Sequence, residues 1–122
     1  MAAEVSGKVW LFTLGLKGGT TPGGSNVGEV GPVPVFAAPE YLLRINHASG
    51  PPGSKTSVHS HPGSESFYVL AGQVSQRTPH GVNRTKAGQT MVGHGPEIAK
   101  ATFALKAGGR ESRLHGEVVS GR

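Results

Sequence analysis

His59 and His61 stand two residues apart, and Glu65 follows four residues later. On an extended strand, residues i and i+2 project from the same face, so the two imidazoles can address one ion. Pro62, Gly63 and Ser64 turn the chain, and Glu65 opens the next segment, where its carboxylate can return to the same point. Two neutral imidazoles and one carboxylate form the facial set that suits Fe(II). They also accommodate Mn(II), Ni(II), Co(II) or Zn(II). The expected cofactor is therefore one divalent transition metal. An isolated His-x-His on a strand is more often only a polar face, so the surrounding residues decide.

Those surroundings are apolar on one side. If Glu65 points inward, Phe67 and Val69 follow it by the alternation of a strand, while Tyr68 and Leu70 face away. A wall of this kind beside a metal is a pocket for a small organic molecule. Tyr41 and His47 share a face of an earlier strand with Leu43 and Ile45, and are expected to line the same pocket. For His47 the alternative is a hydrogen-bonded interior histidine. His80 lies in a Thr-Pro-His-Gly turn, and His115 has no assigned role.

Short β-strands must position these groups. Gly 20 and Pro 9 in 122 residues favour turns over helix interiors. Apolar or alternating runs at 8–16, 33–36, 41–48, 57–61, 66–71, 73–76, 82–85 and 89–92 read as strands. Residues 18–31 read as a Gly-rich loop, and a weak helical pattern covers 97–105. The length predicts one domain spanning 1–122. It divides into N-terminal strands and loop (1–40), a motif-bearing core (41–100) and a divergent tail (101–122). In the tail only 102–105 and 117–120 have strand-like composition.

Composition excludes several chemistries. With Cys 0 there is no thiolate metal site, thiol nucleophile or disulfide. The net charge is +5, but the Lys and Arg residues are scattered singly, so a nucleic-acid surface is not expected. No apolar run reaches the ~20 residues of a membrane-spanning helix. The N-terminus has no basic segment followed by a long apolar one, and a cytoplasmic location is expected.

The stretch Gly53, five residues, His59, one residue, His61, three residues, Glu65, six residues, Gly72 resembles the first motif of the cupins at every defined position. The similarity runs from about residue 41 to about residue 95. It implies an all-β double-stranded β-helix, a jelly-roll-like barrel around the metal. It implies that His59, His61 and Glu65 are ligands, that Gly53 and Gly72 are turn residues, and that the chain forms a homodimer. The second cupin motif is not intact. Its histidine would fall near Ile98 or Ala99, and His94 stands a few residues early. His94 is the candidate fourth ligand, with a turn position or a three-ligand site as alternatives.

The expected function is a metal-dependent enzyme of oxygenase or isomerase/lyase type acting on a small organic molecule. The alternative is a non-catalytic domain that binds or senses a small ligand. Tyr41, His47 and His94 are the candidates for a general base, and no catalytic residue is singled out among them.

Overall fold

The computed structural model describes residues 1–33, 37–93, 101–104 and 111–120. Among these residues all regular structure is β, in line with the sequence reading. The strands are β1 (Ala2–Val5), β2 (Lys8–Leu11), β3 (Tyr41–Gly50), β4 (Ser64–Ala71), β5 (Gln73–Thr78), β6 (Gly81–Lys86), β7 (Thr90–Val92), β8 (Ala101–Ala104) and β9 (Glu111–Ser120). β1 and β2 form a hairpin. A four-stranded sheet runs β3-β9-β4-β7, and a three-stranded sheet runs β6-β5-β8.

β4 and β5 are consecutive in sequence yet belong to different sheets. Gly72 between them has φ +71°, a left-handed conformation that other residues enter at a cost. The chain can therefore leave one sheet and enter the next within a single residue. Gly53, the first glycine of the motif, sits at φ +80° in the turn after β3. Phe67, Val69, Val74 and Met91 form the apolar core between the sheets. Burying a side chain of this size contributes about 1.5–3 kcal/mol.

Register fixes which residues look into the barrel. Arg44, Glu117 and Glu65 are cross-strand neighbours on β3, β9 and β4, and so are Asn46, His115 and Phe67. Directly opposed residues share a sheet face. The inner face of the large sheet thus carries Arg44 and Asn46, then Arg113, His115 and Glu117, then Glu65, Phe67 and Val69, with Met91 beyond. The outer face carries Leu43, Ile45, Leu114 and Tyr68. Trp10 of β2 covers part of it, its ring centroid 5.5 Å from that of Tyr68.

Three local expectations change. The segment 101–104 is a strand paired with β5, not the start of a helical turn. Residues 57–61 do not form a continuous strand; Lys55 and His59 make single bridges around a bend at Val58. The tail supplies a ten-residue strand, Glu111–Ser120, at the centre of the large sheet between β3 and β4. Residues 34–36 and His94 lie outside the described residues.

Candidate metal centre

Four side chains converge where β4 and β9 lie side by side. One ligand atom each from His61, Glu65, His115 and Glu117 falls within 4.8 Å of all the others. Glu65 is 1% exposed, and Glu117 is also buried. Two carboxylates so close together in a barrel interior repel each other and have lost most of their hydration. Such a pair needs protons or a cation.

Three imidazoles surround these carboxylates. His61 Nε2 lies 3.1 Å from Glu65 Oε2, and His115 Nε2 lies 2.9 Å from the same oxygen. His59 Nε2 lies 3.0 Å from His61 Nε2. The other nitrogen of each of the two motif histidines is engaged elsewhere. His59 Nδ1 sits 2.7 Å from the Ser57 carbonyl oxygen, and His61 Nδ1 sits 2.7 Å from Glu117 Oε1. In neutral imidazoles these Nδ1–H groups donate, which leaves both Nε2 atoms as acceptors. In that tautomer both Nε2 atoms, 3.0 Å apart, offer acceptor lone pairs beside the Glu65 carboxylate, the arrangement that a cation would complete. Ligands about 2.1 Å from a metal and at right angles to one another are about 3.0 Å apart. The 3.1 and 2.9 Å spacings from Glu65 Oε2 to His61 and His115 Nε2 are of this size, and His59 Nε2 stands 3.0 Å from His61 Nε2 at the edge of the cluster.

The surroundings hold these groups in place. Gln76 Nε2 of β5 donates to Glu65 Oε1 at 3.2 Å, so the small sheet anchors the carboxylate from across the barrel. Phe67 stacks on the His115 ring at a centroid distance of 4.6 Å and an interplanar angle of 14°. Gly93 completes the cradle. Its N–H donates to the Glu65 carbonyl at 2.8 Å, and a Cβ there would overlap Glu65 Cγ and approach Oε1 to 2.8 Å. We expect Gly93→Ala to displace the Glu65 side chain and to weaken metal binding about tenfold or more, as disturbed ligand support does. Calorimetric metal titration of the variant checks this, and unchanged affinity would show that Glu65 is not held there.

The sequence-predicted residues are thus distributed unevenly. His61 and Glu65 belong to the four-residue cluster, and His59 touches it through His61. Phe67 and Val69 are buried on the same inner face. Tyr41 and His47 correct the sequence reading, because β3 presents them on the other face. His47 pairs with Leu114 across the sheet, is exposed, and its Nε2 lies 2.8 Å from Ser112 Oγ. Tyr41 is 48% exposed. Arg44 and Asn46 occupy the positions on β3 that face the cluster instead. Sequence reading missed His115 and Glu117. Their signal was available as a His-x-Glu pair at strand spacing, hidden in a segment without apolar alternation.

No sequence profile of a known family matches the chain, and no curated protein matches it in sequence. Solved structures do match. A cupin-like protein from Thermotoga maritima superposes with a TM-score of 0.56 at 17% identity, covering 62% of this chain and 56% of its own length. An RmlC-like cupin with a double-stranded β-helix from Methanocaldococcus jannaschii gives a TM-score of 0.58 at 12% identity, covering 71% of this chain and 78% of that one. A structure of DMSP lyases gives a TM-score of 0.53 at 17% identity, over 66% of this chain and 44% of that one. Identities this low speak to architecture. With its two facing sheets and the motif glycines at the turns, this chain has the cupin fold, a double-stranded β-helix.

Proposed function

We propose that the chain binds one divalent transition metal and uses it as an enzyme on a small organic molecule. His59, His61 and Glu65 of the first motif and His115 of the last strand hold the ion. Glu117 accepts the His61 Nδ1–H and fixes that ring, the carboxylate–histidine arrangement that orients metal ligands. His94 remains a further candidate ligand on the sequence reading. The observation that carries the proposal is the pair of Nε2 acceptors 3.0 Å apart beside Glu65.

A metal in this position supplies Lewis acidity and, if it is Fe(II), access to oxygen chemistry. The chain's own contribution is placement. β4 and β9 present ligands from one rigid sheet face, Gln76 fixes the carboxylate, and Phe67 and Val69 keep the inner side apolar. Oxygenase and isomerase/lyase chemistry both suit this donor set. The structural likeness to DMSP lyases supports keeping the lyase arm in any assay.

Elemental analysis of the purified protein, followed by reconstitution with Fe, Mn, Ni, Co or Zn singly, tests the proposal. Stoichiometric metal and turnover with one of these ions are expected. Retention of metal and ligand with no turnover, with or without oxygen, would instead assign a non-catalytic binding domain.

The reading includes a cytoplasmic location and a homodimer. Val9, Leu11, Leu14 and Leu16 near the N-terminus are each exposed, and apolar surface of this kind is what a second copy would cover. Among the described residues no helix is long and apolar enough to cross a membrane. Sedimentation of a 12.5 kDa monomer at working concentration would remove the dimer.

A further inference from the structure

We infer that the metal centre takes a small carboxylic acid as its ligand, with Arg44 as the residue that binds the carboxylate; this rests on the metal reading above. Arg44 lies on the inner face of β3, directly opposite Glu117. Its Nη1 is 3.6 Å from Glu117 Oε2, while the other Glu117 oxygen lies against His61 Nδ1. A separation of 3.6 Å is an ion pair and not a hydrogen bond, so the planar donor fork of the guanidinium is not spent on Glu117. The side chain is also 53% exposed, which leaves those donors open to solvent beside Glu117. Asn46, the next residue on this face, is exposed beside His115 and offers a further amide donor.

Charge selects the ligand. A divalent ion with Glu65 and Glu117 sums to zero. The two carboxylates therefore leave the metal electrically neutral towards an incoming molecule. Arg44 adds a positive charge beside Glu117, and a guanidinium binds carboxylates in a planar, bidentate manner. A molecule with one carboxylate for Arg44 and a second oxygen within reach of the metal satisfies both groups. A neutral molecule gives the guanidinium no anionic partner beyond Glu117. The same side chain could instead serve only to hold Glu117, and the two roles separate experimentally.

Malonate and its neutral isostere malonamide are the probes, titrated into Mn(II)-loaded protein. Electron paramagnetic resonance reports whether Mn(II) stays with the protein. Wild-type protein should bind malonate at least about tenfold more tightly than malonamide, since each carboxylate–arginine contact is charge-assisted. Arg44→Gln should lose about tenfold in malonate affinity while keeping its Mn(II), and Arg44→Lys should fall between. Equal malonate affinity in wild type and Arg44→Gln overturns the inference. So does loss of Mn(II) from Arg44→Gln, which would make Arg44 a support for Glu117. Failure of wild-type protein to bind Mn(II) or any other divalent metal overturns the metal reading, and this inference with it.

Discussion

Stripping the metal from the purified protein should lower its melting temperature by about 15 °C, and Glu65→Gln should abolish the difference between metal-loaded and metal-free protein. The size follows from linkage. A ligand that binds only the folded state at 1,000 times its Kd adds about 4 kcal/mol, and about 1 kcal/mol moves the midpoint of a domain of this size by roughly 4 °C. The direction follows from the site. Without a cation, Glu65 and Glu117 are two buried carboxylates with ligand atoms within 4.8 Å, and two motif imidazoles turn their Nε2 atoms toward each other at 3.0 Å. Metal binding relieves both conflicts in the folded state alone. Glu65→Gln keeps the shape of the side chain and an acceptor oxygen for Gln76 Nε2, but removes the charge that the ion matches. Metal-free Glu65→Gln is therefore expected to be as stable as metal-free wild type or more so, because a buried charge is gone. Differential scanning calorimetry with and without chelator reads both results. A wild-type midpoint indifferent to metal would leave no reason to regard this cluster as a metal centre.

Much of this arrangement could be read from the residues in order. Gly53, His59, His61, Glu65 and Gly72 announce the fold, because each glycine occupies a left-handed turn and the polar residues between them lead into β4. The alternation of Glu65, Phe67 and Val69 gave their common face correctly. Strand β9 was harder to see for a physical reason. Its inner residues, Arg113, His115 and Glu117, are polar, with the last two in the buried His/Glu cluster and Arg113 over the Phe67 ring, while Leu114 and Gly116 alternate on the other side. A strand whose buried face is functional reverses the usual pattern of apolar in and polar out, so composition made it resemble a surface tail. Tyr41 and His47 failed for the complementary reason. β3 has apolar Leu43 and Ile45 on the outer face, where part of the sheet is covered by the N-terminal hairpin, and that apolar face was mistaken for the inner one. Two-residue periodicity settles which side chains travel together; only cross-strand register says which way they point.

Because the proposed metal site draws a ligand, His115, from β9, removing its imidazole should cost more than any change outside the cluster. His115→Ala is expected to weaken metal binding by at least about 100-fold, since disturbing even the partners of a ligand costs 10–100-fold. Alanine would also remove a ring stacked on Phe67, so lost packing could imitate lost coordination. His115→Phe separates the two. It retains an aromatic ring for the stack and deletes the nitrogen that lies 2.9 Å from Glu65 Oε2. Both variants should lose metal to the same extent, with the phenylalanine variant nearer to wild type in its metal-free melting temperature. Glu117→Gln should cost less, about tenfold, because an amide oxygen can still accept the His61 Nδ1–H although the charge is gone. If His115→Phe keeps full metal affinity while His94→Ala loses it, the fourth ligand comes from residue 94, as the cupin resemblance first suggested. If neither variant changes affinity, the three residues of the first motif suffice. The predicted order, His115 above Glu117, follows from ligand and orienting partner standing two residues apart on one strand face.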